Sequence, residues 1–247
     1  MVIAIVNQSR DLTDRDAVWI ERAMRVQMEH VARAYQRAPI PVKFFSDHRA
    51  IFGSTEVWPI ILADDTEGAD ALGWHTKLAG EVYSYVFVGV ILSAGYDVLR
   101  GTPVTVSGVA GHELGEMTMD PDISLFVKLP VPRPEGDMVA YEIGDPVQDE
   151  YEAKVGFLGL RQTVQLSNFV HPSWFKRGPH PSGTKFDEKG ELKQPFTKLP
   201  TGYLIIQDSK TGRVTSVFDE QPRAWKRSQL SRTHRRGVNL TPPRLVW

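Results

Sequence analysis

The chain contains no cysteine among its 247 residues, so neither disulfides nor thiolate chemistry is open to it. It also lacks a long apolar run. The longest, residues 86–92, is far short of the roughly 20 residues that a membrane-spanning helix needs. The opening MVIAIVNQSRD has no basic segment and no small-residue cleavage site, so it does not read as a secretory leader. No Gly-rich phosphate loop occurs, and neither Ser107-Gly108 nor Ser167-Asn168 sits in a nucleophile-elbow pattern.

One further absence is local. Residues 221–247 hold seven Lys/Arg and no Asp/Glu. The whole chain has 29 Lys+Arg and 30 Asp+Glu, which leaves 22 basic against 30 acidic residues before position 221. An acidic body therefore precedes a basic, Pro-containing tail ending in "LVW". The tail has no sustained periodicity and reads as an extended arm. It suits docking on another subunit or another copy of the chain, with nucleic acid the weaker alternative.

What is present gives a coherent plan, and 247 residues suffice for one sizeable core. Residues 2–6 form a short apolar run and read as a buried strand. Thr13, with Asp16 three positions on, resembles a capping box. Ala17, Ile20, Met24, Met28, Val31 and Tyr35 then recur at helical spacing, and the helix ends before Pro39 and Pro41. Strands are expected over 42–45 and 57–62, with a longer one over 83–92. A second helix is expected over 103–119, with Pro103 in its first turn and Pro121 as its stop. The order strand–helix–strand–strand–strand–helix predicts an α/β arrangement with helices covering a twisted sheet.

After Pro121 the character changes. Pro130, Pro132 and Pro134 read as a loop. The acidic segment "YEIGDPVQDEY" follows over 141–151, and 162–170 has the composition of a strand. Residues 176–200 are polar and Gly/Pro-rich, and read as a long loop. Residues 203–207 and 214–218 flank "DSKTGR" as a β-hairpin. The expected division is 1–175 for the main domain, 176–220 for the loop and hairpin, and 221–247 for the arm.

Chemistry concentrates in "GHELGEMTMDP", residues 111–121. On a helix, His112 and Glu116 project from one face and can grip one metal ion, as the two histidines do in H-E-x-x-H. Glu113, beside them, is placed to take a proton from water. A carboxylate at the second ligand position still binds zinc, but it makes the site harder and admits other divalent metals. A third ligand is needed, and Glu142 or Asp145 in the acidic segment can supply it, with Glu142 preferred. His75, in "GWHT", is a weaker candidate. Asp120, one turn beyond Glu116, could be a ligand or an orienting partner for His112. The competing reading is an ordinary helix that happens to carry His and Glu. His171 and His180 read as solvated or capping residues, and Phe169, Trp174 and Phe175 as core or interface.

The ordered segments "IVNQS", "PVKFF", "GWHT", "VFV", "GHELGEMTMDP", "YEIGDPV" and "SNFVHPSWF" resemble a family of zincin-like, metalloprotease-like proteins of bacteria and tailed bacteriophages. The resemblance covers about residues 3–175. It implies a zincin-like domain with HExxE in place of HExxH, with His112, Glu113 and Glu116 at the site and Glu142 and Asp145 nearby. Gly111 and Gly115 stand where bulkier residues are expected, and each softens a helix by up to about 1 kcal/mol relative to Ala. Two functions follow. One is a zinc-dependent peptidase with Glu113 as general base, its peptide aligned along the 83–92 strand. The other is a virion-associated structural protein, found in the particle or the host cytoplasm, that contacts neighbouring subunits through its arm. The acid-free arm favours the second.

Overall fold

The chain, described here as a computed structural model, is defined over residues 1–46, 54–64 and 71–218. Strand β1 (Val2–Asn7) is an interior strand of the main sheet, flanked by β2 (Val42–Phe45) and β3 (Val57–Ala63), both parallel to it. Ile3, Ala4, Ile5 and Val6 are all buried. That is why this strand is continuously apolar rather than alternating. Helix α1 (Asp14–Ala34) makes the crossover from β1 to β2. Thr13 caps it as read from the sequence: its hydroxyl accepts from Asp16 N, and the Asp16 carboxylate accepts from Thr13 N at 3.0 Å.

The sheet continues through β5 (Glu81–Phe87), parallel to β3, and ends in β4 (Gly73–Leu78), antiparallel to β5. The order is β2-β1-β3-β5-β4. The expected long strand over 83–92 is therefore two elements, since α2 (Val88–Ser93) follows β5 directly. An uninterrupted apolar run fits a buried strand and a buried helix equally well. A Cβ on Gly89 would fall 2.3 Å from the backbone oxygen of Asp64, so glycine lets α2 turn against the end of β3. Because β5 lies between β3 and β4, its hydrogen-bonding edges are taken, and it cannot receive a peptide strand.

Helix α3 (Val106–Met119) begins at Thr105, not at Pro103. The Thr105 side chain caps it by accepting from Gly108 N. Thirteen of its fourteen residues are buried, His112 being the exception. A helix enclosed on all sides needs no polar face. It packs on the main sheet beside α1, and the hairpin of β8 (Glu150–Phe157) and β9 (Leu160–Ser167) contacts both helices.

A second, antiparallel sheet has the order β11-β10-β7-β6, built from β6 (Phe126–Arg133), β7 (Gly136–Ala140), β10 (Leu204–Gln207) and β11 (Val214–Val217). The proline run expected to be a loop is thus largely strand. Pro130 and Pro132 lie in β6, at the sheet's edge, where the register shifts between Lys128 and Arg133. An edge with a bulge can hold residues that lack an N–H donor. The expected hairpin around "DSKTGR" is β10 paired with β11.

Residues 176–200 contain neither helix nor strand, yet Phe186, Leu192 and Phe196 join the same core as Ile20 and Leu114. Asp187 pins this stretch by accepting from Asn168 Nδ2 and from Leu192 N, both at 2.9 Å. The fold is mixed α/β with a mixed main sheet. Among the described residues, no helix is long and apolar enough to cross a membrane. The basic arm, 221–247, lies outside the described residues.

Candidate metal centre

Three elements converge on one buried cluster. Helix α3 brings His112, Glu113 and Glu116. Strand β4 brings His75. The turn after β7 brings Glu142 and Asp145, the latter opening a one-turn 3-10 helix, Asp145–Val147. Side chains alternate along β4. Trp74 turns to the far face and packs against Tyr85, their rings tilted and their centroids 4.9 Å apart, while Gly73 and His75 face α3. Gly73 leaves room there, since a Cβ would meet Val109 at 2.9 Å and Glu113 Oε1 at 3.0 Å.

His112 Nε2 is 3.0 Å from Glu116 Oε1 and 3.4 Å from Asp145 Oδ1. His75 Nδ1 is 3.5 Å from Glu113 Oε2 and 3.7 Å from Glu116 Oε2, and its Nε2 is 4.0 Å from Glu142 Oε2. Glu113, Glu116, Glu142 and Asp145 are each no more than 3% exposed. Burial, the largest influence on His75, disfavours its charged form. Contact with Glu113 and the charges of Glu142 and Glu116 outweigh it, so the net pKa lies above the ordinary histidine value.

Two groupings of ligand atoms emerge, His112–Glu116–Asp145 and His75–Glu116–Glu142, each with its atoms within 4.8 Å of one another. The donor set suits a divalent cation. Ligands about 2.0–2.2 Å from a tetrahedral ion stand roughly 3.4 Å apart. The contacts of His112 are close to that spacing. Carboxylate and imidazole without thiolate suit several metals besides zinc. Buried carboxylates at this density also require compensating positive charge or protons.

The structure thus brings all five sequence-chosen residues together but divides them. Asp145 stands next to His112. Glu142, the preferred third ligand, stands with His75 instead. Asp120 belongs to neither grouping. Its carboxylate accepts from Ser124 N and Leu125 N at 3.0 Å and holds the turn after α3. His75 was underrated because a histidine in a short strand carries no local signal of what faces it. His171 pairs with Glu188 at 2.9 Å, and His180 Nε2 is 3.2 Å from the Lys176 carbonyl. Phe169, Trp174 and Phe175 are buried in the core.

A cavity of about 200 Å³ opens against this cluster, with His112, Glu113, Gly108, Glu150 and Thr201 among its lining residues. Glu150 was also missed by sequence reading. Its two carboxylate oxygens accept from Thr105 N and Thr105 Oγ1, each at 2.8 Å, at the start of α3. Burial pushes its pKa up to about 8 against the opposing pull of those hydrogen bonds. A Cβ on Gly108 would lie 1.9 Å from Glu150 Oε1, so a glycine there admits the carboxylate.

Compared with known proteins, the chain matches no family model, no curated protein and no solved structure.

Proposed function

We propose that the protein is a metal-dependent hydrolase built on a zincin-like domain, acting on peptide bonds. His112, Glu116 and Asp145 would hold the metal, with zinc the first candidate. The observation that carries this reading is the shared cavity: His112 and Glu113 line the same opening. A divalent metal held there supplies Lewis-acid polarisation of a substrate oxygen. Glu113, the residue next to His112, accepts the proton from water at its carboxylate. The His75 imidazole borders that carboxylate, its Nδ1 3.5 Å from Glu113 Oε2. The low-dielectric surroundings strengthen both effects.

The test is metal content of protein purified without chelator, beside His112→Ala, followed by peptide hydrolysis with Glu113→Gln. The expected result is metal bound by wild type and less of it bound by His112→Ala. Glu113→Gln should keep the metal and lose about 10²–10⁴-fold in rate, the usual contribution of a positioned general base. Metal-free wild-type protein without hydrolysis would overturn the reading.

A second reading, a structural protein of a tailed phage particle, draws on the sequence of the arm. Seven basic and no acidic residues over 221–247 suit attachment to a neighbouring subunit more than catalysis. Deleting 221–247 separates the two. Lost assembly with hydrolysis intact supports the structural role, and unchanged assembly removes it.

A further inference from the structure

We infer that the cluster is a two-cation centre, with a second cation held by His75, Glu116 and Glu142 and Glu116 as the carboxylate common to both positions. The inference rests on the proposed metal site through Glu116 alone.

The two oxygens of Glu116 point to different histidines. Oε1 is 3.0 Å from His112 Nε2, and Oε2 is 3.7 Å from His75 Nδ1. A carboxylate divided in this way can give one oxygen to each of two ions. Metal-bridging carboxylates use this arrangement in two-metal sites, where ions stand about 3.5–4 Å apart.

His75 supplies an independent observation. It is 3% exposed, and neither ring nitrogen has a hydrogen-bond partner. Its nearest carboxylate oxygens stand at 3.5, 3.7 and 4.0 Å. The first two are from Nδ1 to Glu113 and Glu116, and the third is from Nε2 to Glu142; one ligand atom from each of His75, Glu116 and Glu142 lies within 4.8 Å of the other two, close enough to share an ion. A buried imidazole without hydrogen bonds is unfavourable, and a cation between it and the carboxylates satisfies both. Glu142 belongs to this grouping and not to that of His112.

Charge points the same way. Glu113, Glu116, Glu142 and Asp145 are all buried around two imidazoles. One divalent cation offsets two of the four negative charges that these groups carry when ionised. A second divalent cation offsets the other two.

The experiment titrates the full chain, stripped with chelator and dialysed, with Zn2+ while bound metal is counted by mass spectrometry. A parallel Mn2+ titration is followed by electron paramagnetic resonance. Circular dichroism checks that each variant is folded. Wild type should bind two equivalents, and its Mn2+ spectrum should show exchange coupling across the shared carboxylate. His75→Gln and Glu142→Gln should each bind one, with an isolated-ion spectrum. The wild-type count decides the matter even if the variants do not fold. One equivalent in wild type, lost in His112→Ala and kept in His75→Gln, overturns the second cation and leaves the proposed site standing. One equivalent lost in His75→Gln and kept in His112→Ala overturns both the pair and the His112 assignment. No bound metal overturns both as well. Two equivalents without coupling overturn the shared carboxylate.

Discussion

The backbone at Gly144 lies directly against the imidazole of His112: a Cβ there would fall 2.4 Å from Nδ1 and 2.6 Å from Cε1. The acidic segment therefore does more than deliver Asp145. It presses its chain onto one edge of the ring, while the opposite nitrogen, Nε2, faces Glu116 and Asp145.

Gly144→Ala should move the ring. Groups that orient a metal-binding histidine typically account for 10–100-fold in affinity, and a comparable loss is expected here. Competition with a chromophoric chelator measures it. Overpacking should also cost about 1–3 kcal/mol of stability, read from denaturant unfolding. Unchanged affinity would mean that the ring orientation does not matter for binding.

Gly111→Ala separates two physical arguments of opposite sign. Helix propensity favours Ala over Gly by about 1 kcal/mol. Packing opposes it. A Cβ on Gly111 would lie 2.9 Å from Gln27 Oε1 and 3.3 Å from Ser167 N. Gln27 is fully buried and cannot swing aside without giving up its hydrogen bond to Ser167 O at 3.1 Å. Net destabilisation is expected, by about 1–3 kcal/mol, as found for overpacked cores. Urea unfolding of the two proteins settles the sign.

That contrast shows where the sequence was legible. Thr13, Asp16 and the spacing from Ala17 to Tyr35 define α1 locally, though not the burial of Glu21 and Gln27 on it. The spacing of His112, Glu113 and Glu116 was likewise readable, since a helix fixes which residues share a face. Three features were not readable. The run over 83–92 divides into strand and helix because Asp64 meets Gly89, a contact between distant residues. His75 joins the cluster because β4 pairs antiparallel with β5 and turns its odd-numbered residues toward α3. Gly108, Gly111 and Gly144 are close-approach sites, set by Glu150, Gln27 and His112 respectively. In each case tertiary contact decides, and local composition is silent.

Glu150 should impose a pH dependence on stability. Its pKa is about 8 in the folded chain, against an ordinary 4.5. Between those values the folded state binds a proton that the unfolded state has released, so stability falls as pH rises. The contribution is fully present below the ordinary value and lost on passing the raised one. At about 1.4 kcal/mol per pKa unit, the effect amounts to a few kcal/mol at most. Glu150→Gln, which keeps the shape without the titration, should flatten the profile between pH 5 and 8. Denaturant melts of chelator-treated protein give the comparison. An equally steep profile in the variant would assign the dependence elsewhere.

Removing metal should destabilise the protein, and more so at higher pH. A ligand that binds only the folded state at 1,000 times its Kd contributes about 4 kcal/mol. For a chain of this size that corresponds to a Tm change on the order of 10 °C. Ligating carboxylates and imidazoles must be deprotonated, so affinity weakens as pH falls. Acid also neutralises the buried carboxylates by protonation, which reduces the repulsion that an extracted cation leaves behind. Both effects have the same sign. Thermal melts with and without chelator should therefore diverge at pH 8 and converge toward pH 5. His112→Ala should narrow the gap at pH 8. A gap independent of pH would place the cation outside this cluster, and identical melts at both pH values would mean that no cation is bound.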